Sequence, residues 1–180
     1  MEYYDIINFE FNNLEFNNPK NYGFSKVFTL GKDIFEYKVQ TRKPKIPAIL
    51  TSTDPEILRR NMRYFQILHL PTFEANVALI SAAAKKGKIF EIPLSSFLFH
   101  AGYQKSRMIS RIRRFVKFCN SYKADFIFTS RASSITEIRT PREIGTIGTI
   151  FDISEDQAKD SLSKLGRILR RINIRDNTKG

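Results

Sequence analysis

Residues 89–94 (IFEIPL) and 125–130 (DFIFTS) are short, nearly continuous apolar runs, each too brief for a helix. A strand of that kind has no solvent-facing edge of polar residues and belongs in a parallel sheet covered on both sides. Five further runs read as strands: residues 4–8, 26–30, 34–39, 46–51 and 64–70. Helical patterns alternate with them. Residues 55–63 follow Asp54, a good cap with Pro55 behind it. Residues 73–86 follow Thr72, carry Lys85 and Lys86 in the last turn and stop at Gly87. Residues 103–122 form a long amphipathic helix, and residues 141–151 and 155–164 each follow a capping box, Thr140 to Glu143 and Ser154 to Gln157. A last helix is expected at 165–173, a loop at the Asn-rich stretch 9–21 and a frayed tail at 176–180. The βα alternation predicts one α/β domain over residues 1–180, with an open parallel sheet or a barrel. Neither GxGxxG nor a P-loop occurs, which argues against a Rossmann domain or a P-loop nucleotidase. In a barrel, chemistry gathers at the C-terminal strand ends, which would place Ser130 and Arg131 there.

Charge narrows the partner. The chain carries 30 Lys+Arg against 18 Asp+Glu, a net charge of +12. Residues 1–100 hold 13 basic and 10 acidic side chains (+3), and residues 101–180 hold 17 and 8 (+9). Arginines outnumber lysines in the second part. A polyanion is drawn to such a surface by counterion release, and the planar arginine fork suits phosphate. No apolar run approaches a membrane span, and the acidic start does not resemble a signal peptide. The single cysteine, Cys119, excludes an internal disulfide, falls on the apolar side of a helix and fits a cytoplasmic protein.

Three clusters present that charge. On the helix at 103–122, Met108, Ile109, Ile112, Phe115, Val116 and Cys119 share one face, while Arg107, Arg111, Arg113, Arg114 and Lys117 lie opposite. Arg139 and Arg142 flank the cap Thr140, where free N–H groups already favour an anion and Glu143 offers an internal counter-ion. Arg167, Arg170 and Arg171 form a basic rim on the final helix. Tyr103 and Tyr122 are suited either to stacking on a base or to packing at a helix end.

Catalytic groups are sparse. His69 and His100 are the only histidines and are too few for a multi-metal centre. His69 reads as a satisfied core residue and His100 as a loop residue. Asp5, Glu91 and Asp125 would serve acid–base chemistry if their strands were neighbours, but a partnered inward carboxylate is the expectation for Glu91. Ser130 has no histidine to activate it.

The stretch from Ala124 to Ile150 also resembles a known family. A strand ending in Ser130, a polar loop, then Ile138-Arg139-Thr140-Pro141-Arg142-Glu143 and an Ile-Gly helix is similar to the ribonuclease P protein component 3 family, the archaeal counterpart of the eukaryotic 30-kilodalton subunit. Residues 76–79 and 85–95, the Arg-rich segment 105–113, and residues 156–163 and 167–171 are similar to further parts of it. The resemblance covers roughly the last 100 residues, with Asp5-Ile6-Ile7 similar to the opening strand; the family often has Gly where Arg131 stands. It implies a barrel of the TIM type, related to the PHP phosphoesterase barrels and incomplete in helices. It implies a non-catalytic protein subunit of an endoribonuclease that removes the 5′ leader from precursor tRNA. The catalytic RNA would hold the magnesium, and the chain itself would bind no cofactor. Implied partners are the ribonuclease P RNA, a component 2-type protein and other ribonuclease P proteins, with precursor tRNA as substrate of the assembly and no membrane. On this reading Arg107, Arg111, Arg114, Lys117, Ser130, Arg131, Arg139, Arg142, Arg167, Arg170 and Arg171 contact RNA or protein. The alternative is a free-standing metal-dependent barrel phosphoesterase.

Overall fold

The computed structural model describes residues 1–8, 18–38, 44 and 47–177, with side chains to residue 168. Among the described residues seven strands follow one another: β1 (Tyr4–Ile7), β2 (Lys26–Thr29), β3 (Phe35–Tyr37), β4 (Ala48–Thr51), β5 (Ile67–His69), β6 (Ile89–Pro93) and β7 (Asp125–Thr129). Helices stand after β4: α1 (Pro55–Asn61), α2 (Val77–Lys85), α3 (Ser95–Leu98), α4 (Gly102–Ser121), α5 (Pro141–Thr149) and α6 (Glu155–Asn177). No α-helix links β1 to β2 among the described residues, and a tight turn links β2 to β3, where Asp33 Oδ2 accepts from the Thr29 amide at 2.8 Å.

All pairings are parallel and in chain order, β1 with β2 and β3 through β7. Two seams join these sheets. Leu30 bridges to Ile34 just beyond β2. At the other seam the Arg131 amide donates to the Ile6 carbonyl (2.9 Å) and the Asn8 amide to the Ala132 carbonyl (2.7 Å). Among the described residues the strands therefore close into a seven-stranded parallel α/β barrel without a free edge, incomplete in helices as the resemblance implied.

Each strand, or for β3 the residue just before it, sends an apolar side chain into the barrel: Ile6, Phe28, Ile34, Ile49, Ile67, Ile89 and Ile127 are buried together, with Tyr4 and Leu165 of α6 at one end. The alternate residues pack outward against the helices. In that outer core Phe90 meets Phe115 of α4 edge-on at 5.1 Å, and Phe97 meets Phe151 at 5.2 Å.

Several expected boundaries move. The helix expected at 73–86 begins at Val77, because Asn76 Oδ1 accepts from the Leu79 amide (2.9 Å) and so takes the cap, while Phe73 is buried with a φ of 48°. The strand expected at 64–70 shortens to Ile67–His69 because Met62–Tyr64 tighten into a 3-10 turn. The helices expected at 155–164 and 165–173 are one continuous helix, since Gly166 sits within it against the Tyr4 ring and no cap interrupts the chain. Residues 9–17 of the expected loop at 9–21, together with 39 and 46 of the expected strands and 178–180 of the tail, lie outside the described residues.

Candidate functional site

Two places hold the chemistry-bearing residues: the C-terminal mouth of the barrel and the exposed face of α4. The mouth follows from strand periodicity. Two residues beyond five of the inward isoleucines stands a polar side chain, Glu36 after Ile34, Thr51 after Ile49, His69 after Ile67, Glu91 after Ile89 and Thr129 after Ile127. Period-two geometry stacks these five over the apolar layer, at the end where a barrel does its chemistry.

Arg131 fills the centre of this polar layer. Its φ of 48° is left-handed, a conformation that favours glycine, and turns the side chain inward just past β7. Nε and Nη2 donate to Glu91 Oε1 (2.7 Å) and Oε2 (2.6 Å) as a two-pronged pair, and Nη1 donates to Glu36 Oε2 (3.2 Å). Thr129 Oγ1 donates to Glu91 Oε1 at 2.8 Å, and Thr51 Oγ1 donates to Glu36 Oε1. Burial alone would raise the Glu91 pKa, but the charge and hydrogen bonds of Arg131 outweigh it and hold the carboxyl below the usual range. The neighbouring His69 ring, 3.6 Å away, and then Arg131 depress Glu36. Arg131 itself is raised, since its two carboxylates overcome its desolvation.

Asp5 forms a separate buried knot at the β1–β7 seam. It accepts from the Ser130 amide (2.7 Å), Ser130 Oγ (2.5 Å) and the Ile6 amide (2.8 Å). Burial pushes its pKa up to about 6, only partly offset by those donors.

These contacts correct part of the expected site. Ser130 and Arg131 do stand at a strand's C-terminal end, yet they are buried, and their donors are taken by Asp5, Glu91 and Glu36. They are not surface phosphate contacts. Glu91 is the partnered inward carboxylate expected of it. Asp125 does not join Asp5 and Glu91: it lies at the start of β7 and pairs with Lys164 at 2.6 Å. His69 is only half satisfied, for Nδ1 faces Glu36 and Thr51 while Nε2 is buried with no partner among the described residues. No group of three or more His, Cys, Asp or Glu among the described residues could hold a metal ion. Cys119 is a buried thiol whose pKa burial pushes up to about 12.

The second place is α4. Its sequence contains six cations and no acidic residue. Ile112, Phe115, Val116 and Cys119 are buried, while Arg107, Arg111, Arg114 and Lys117 are exposed and have no acidic partner among the described residues. Arg113 is drawn aside: it donates to the Ile150 carbonyl at 2.8 Å and pairs with Asp152 at 3.2 Å. The row of four stays open for want of counter-charge.

The remaining arginines differ in freedom. Arg139 Nη1 donates to the Thr136 and Ile138 carbonyls (3.1 and 3.0 Å), whereas Arg142 is exposed. Glu143 pairs with neither; its Oε2 accepts from the Thr140 amide at 2.7 Å in the capping box. Arg167 reaches Asp160 (3.4 Å) and Ser163 (3.0 Å). Arg170 and Arg171 lie on α6, but their side chains are outside the described residues.

Sequence reasoning missed the polar layer although a signal was present. Ile-Phe-Glu, Ile-Leu-Thr, Ile-Leu-His, Ile-Phe-Glu and Ile-Phe-Thr recur at residues 34, 49, 67, 89 and 127, once in each of five strands.

Comparison with known proteins places this geometry. A family model described as RNase P subunit p30 matches residues 48–177. The ribonuclease P protein component 3 of Methanosarcina mazei is 30% identical over 101 residues, 54% of this chain and 42% of that protein. That of Archaeoglobus fulgidus is 28% identical over 111 residues, 62% of this chain and 55% of that protein. The matched stretch thus spans about half the length of these curated relatives. A chain in a cryo-EM structure of archaeal ribonuclease P with mature tRNA superposes with a TM-score of 0.68 at 11% identity, covering 95% of this chain and 91% of that one. The fold is therefore the TIM-barrel-like fold of that chain, and the likeness extends ahead of residue 48, where the family-model match begins. No helix among the described residues is long and apolar enough to cross a membrane.

Proposed function

This chain belongs to the RNase P subunit p30 family, and from that premise we propose that it is a non-catalytic protein subunit of ribonuclease P. It assists a catalytic RNA in removing the 5′ leader of precursor tRNA, an endonucleolytic hydrolysis. The observation that carries this reading is the unneutralised row Arg107, Arg111, Arg114 and Lys117 on α4. Such a row lowers phosphate repulsion and stiffens an RNA fold without chemistry of its own. The barrel mouth supports the same assignment: its two carboxylates, Glu91 and Glu36, are both paired with Arg131. Nothing in the comparisons supports a free-standing phosphoesterase.

On this proposal the RNA holds the magnesium, and a component 2-type protein and other ribonuclease P proteins complete the assembly in the cytoplasm, where the single thiol of Cys119 stays reduced. Arg142 and Arg167 extend the binding surface, Arg139 to a lesser degree because its guanidinium is partly engaged by backbone carbonyls. The test is the affinity of the full chain for ribonuclease P RNA as a function of salt. Removal of one phosphate-binding side chain should lower the slope of log affinity against log salt by about one. Arg107→Ala/Arg111→Ala/Arg114→Ala should flatten it by about three; an unchanged slope would remove α4 from the RNA surface.

A further inference from the structure

Two aromatic side chains stand unpartnered at the start of the cationic row. Phe99 is 56% exposed and Tyr103 is 77% exposed, and neither touches another ring among the described residues. The contrast with Tyr122 at the other end of the same helix is informative. That ring stacks on Phe118 at 6.3 Å and 18°, the ordinary packing of a helix-end tyrosine. Tyr103 has no such neighbour. The residues around it, His100, Ala101, Gly102 and Gln104, are exposed as well, and Ala101 leaves the helix start without a side-chain cap.

Helical spacing joins this end to the row. At 100° per residue Tyr103, Arg107, Arg111, Arg114 and Lys117 fall within a sector of about 120°. From Arg107 to Lys117 the helix rises about 15 Å, long enough to run beside several consecutive phosphates of one strand. One turn before the first arginine, the face ends in the tyrosine ring. Cations in file with an aromatic at the end match a nucleic-acid strand whose backbone follows the helix and whose terminal or splayed base has a ring to rest on. An acidic protein would satisfy the cations too, but Phe99 is the one large exposed apolar side chain near Tyr103 in sequence among the described residues, little for a protein to bury; Met108 and Ile109 are already half-buried against the core. Unpaired RNA uses an isolated exposed ring better, because one base face covers it.

We propose that Tyr103, aided by Phe99, is a stacking platform for an unpaired RNA base whose flanking phosphates lie along Arg107, Arg111 and Arg114. The inference rests on the RNA-binding reading above and adds to it the class of element bound: a loop, bulge or single-stranded joint, not a continuous duplex.

The full chain is titrated with a fluorescently labelled short single-stranded RNA and with a blunt RNA duplex of equal length, at several salt concentrations. Wild type should prefer the single strand. Tyr103→Ala should lose about tenfold in single-strand affinity, within the range for one base–aromatic stack, with the salt slope unchanged. Tyr103→Phe should retain the affinity, since the ring suffices. Thiouridine-substituted RNA should crosslink to the segment bearing Phe99 and Tyr103. If both Tyr103→Ala and Phe99→Ala bind like wild type while the triple arginine variant weakens, stacking is refuted and RNA binding stands. If wild type binds neither RNA, both readings fall. If Tyr103→Ala keeps its RNA affinity but releases a ribonuclease P protein from the assembly, this end of α4 is a protein contact and the proposal is overturned.

Discussion

Nη2 of Arg131 lies 2.6 Å from Oε2 of Glu91, and the two side chains are 7% and 0% exposed. The pair joins the end of β7 to the middle of its neighbour β6, and through Glu36 Arg131 also reaches β3 across the barrel mouth. An arginine in a left-handed conformation is strained, and the pair holds it there.

Removing the guanidinium leaves a buried carboxylate without its partner. Arg131→Met should destabilise the chain by about 3–5 kcal/mol. Arg131→Gly should also destabilise it even though glycine relieves the left-handed backbone, because Glu91 is still orphaned. Combining Arg131→Met with Glu91→Gln should recover part of the loss, since the two act as one unit. Urea unfolding measures these three and Glu91→Gln alone; additive losses in the double variant would show that the two side chains do not act together.

Asp5 contributes in the opposite sense with pH. Its folded pKa is raised from 3.8 to about 6, so the native state holds the proton more tightly than the unfolded chain. Its contribution to stability is greatest below 3.8, falls as pH rises towards about 6 and is level above that. Glu36 and Glu91, both depressed, add stability at neutral pH that is lost in acid. The Asp5 effect is isolated by difference: the stability of Asp5→Asn relative to wild type should climb across that window and then plateau. A difference independent of pH would overturn the assignment.

Gly166 on α6 has no room for a side chain. A Cβ there would overlap the ring of Tyr4 on β1. Gly166→Ala should cost about 1–3 kcal/mol from overpacking despite the better helix propensity of alanine. Tyr4→Leu in the same chain should relieve part of it. Thermal melting decides the point, and a stabilised Gly166→Ala would show that α6 does not pack on β1 as described.

The capping box at α5 makes a smaller prediction. Thr140→Ala removes the hydroxyl that accepts from the Glu143 amide (3.2 Å) and should cost about 1 kcal/mol. The loss should be read in the unfolding midpoint; RNA affinity at fixed temperature should stay, because Arg142 remains exposed.

Much of this is legible from residues alone. All seven strands carry a dense apolar signature that locates them to within a few residues, and the caps Asp54 and Thr140 mark α1 and α5 correctly. The amphipathic face of α4 is readable because its apolar positions recur at helical spacing. Asn76 is hidden as a cap because Thr72 offers an earlier one. The arginines divide less legibly. Chain sequence gives their charge but not which carbonyl or carboxylate lies nearby, so Arg113 and Arg107 look alike until Asp152 and Ile150 fold beside one of them. Arg131 is the sharpest case. Forty residues separate it from Glu91, and only the parallel pairing of β6 with β7 makes them neighbours.

Whether the chain works as a ribonuclease P subunit is decided by reconstituting precursor tRNA cleavage at low magnesium, using ribonuclease P RNA and the component 2-type partner with and without this chain. Wild type should stimulate cleavage strongly, Arg107→Ala/Arg111→Ala/Arg114→Ala should lose most of that stimulation, and high magnesium should partly restore it. Equal cleavage with and without the chain, in a mixture where the other components are active, would refute the subunit assignment.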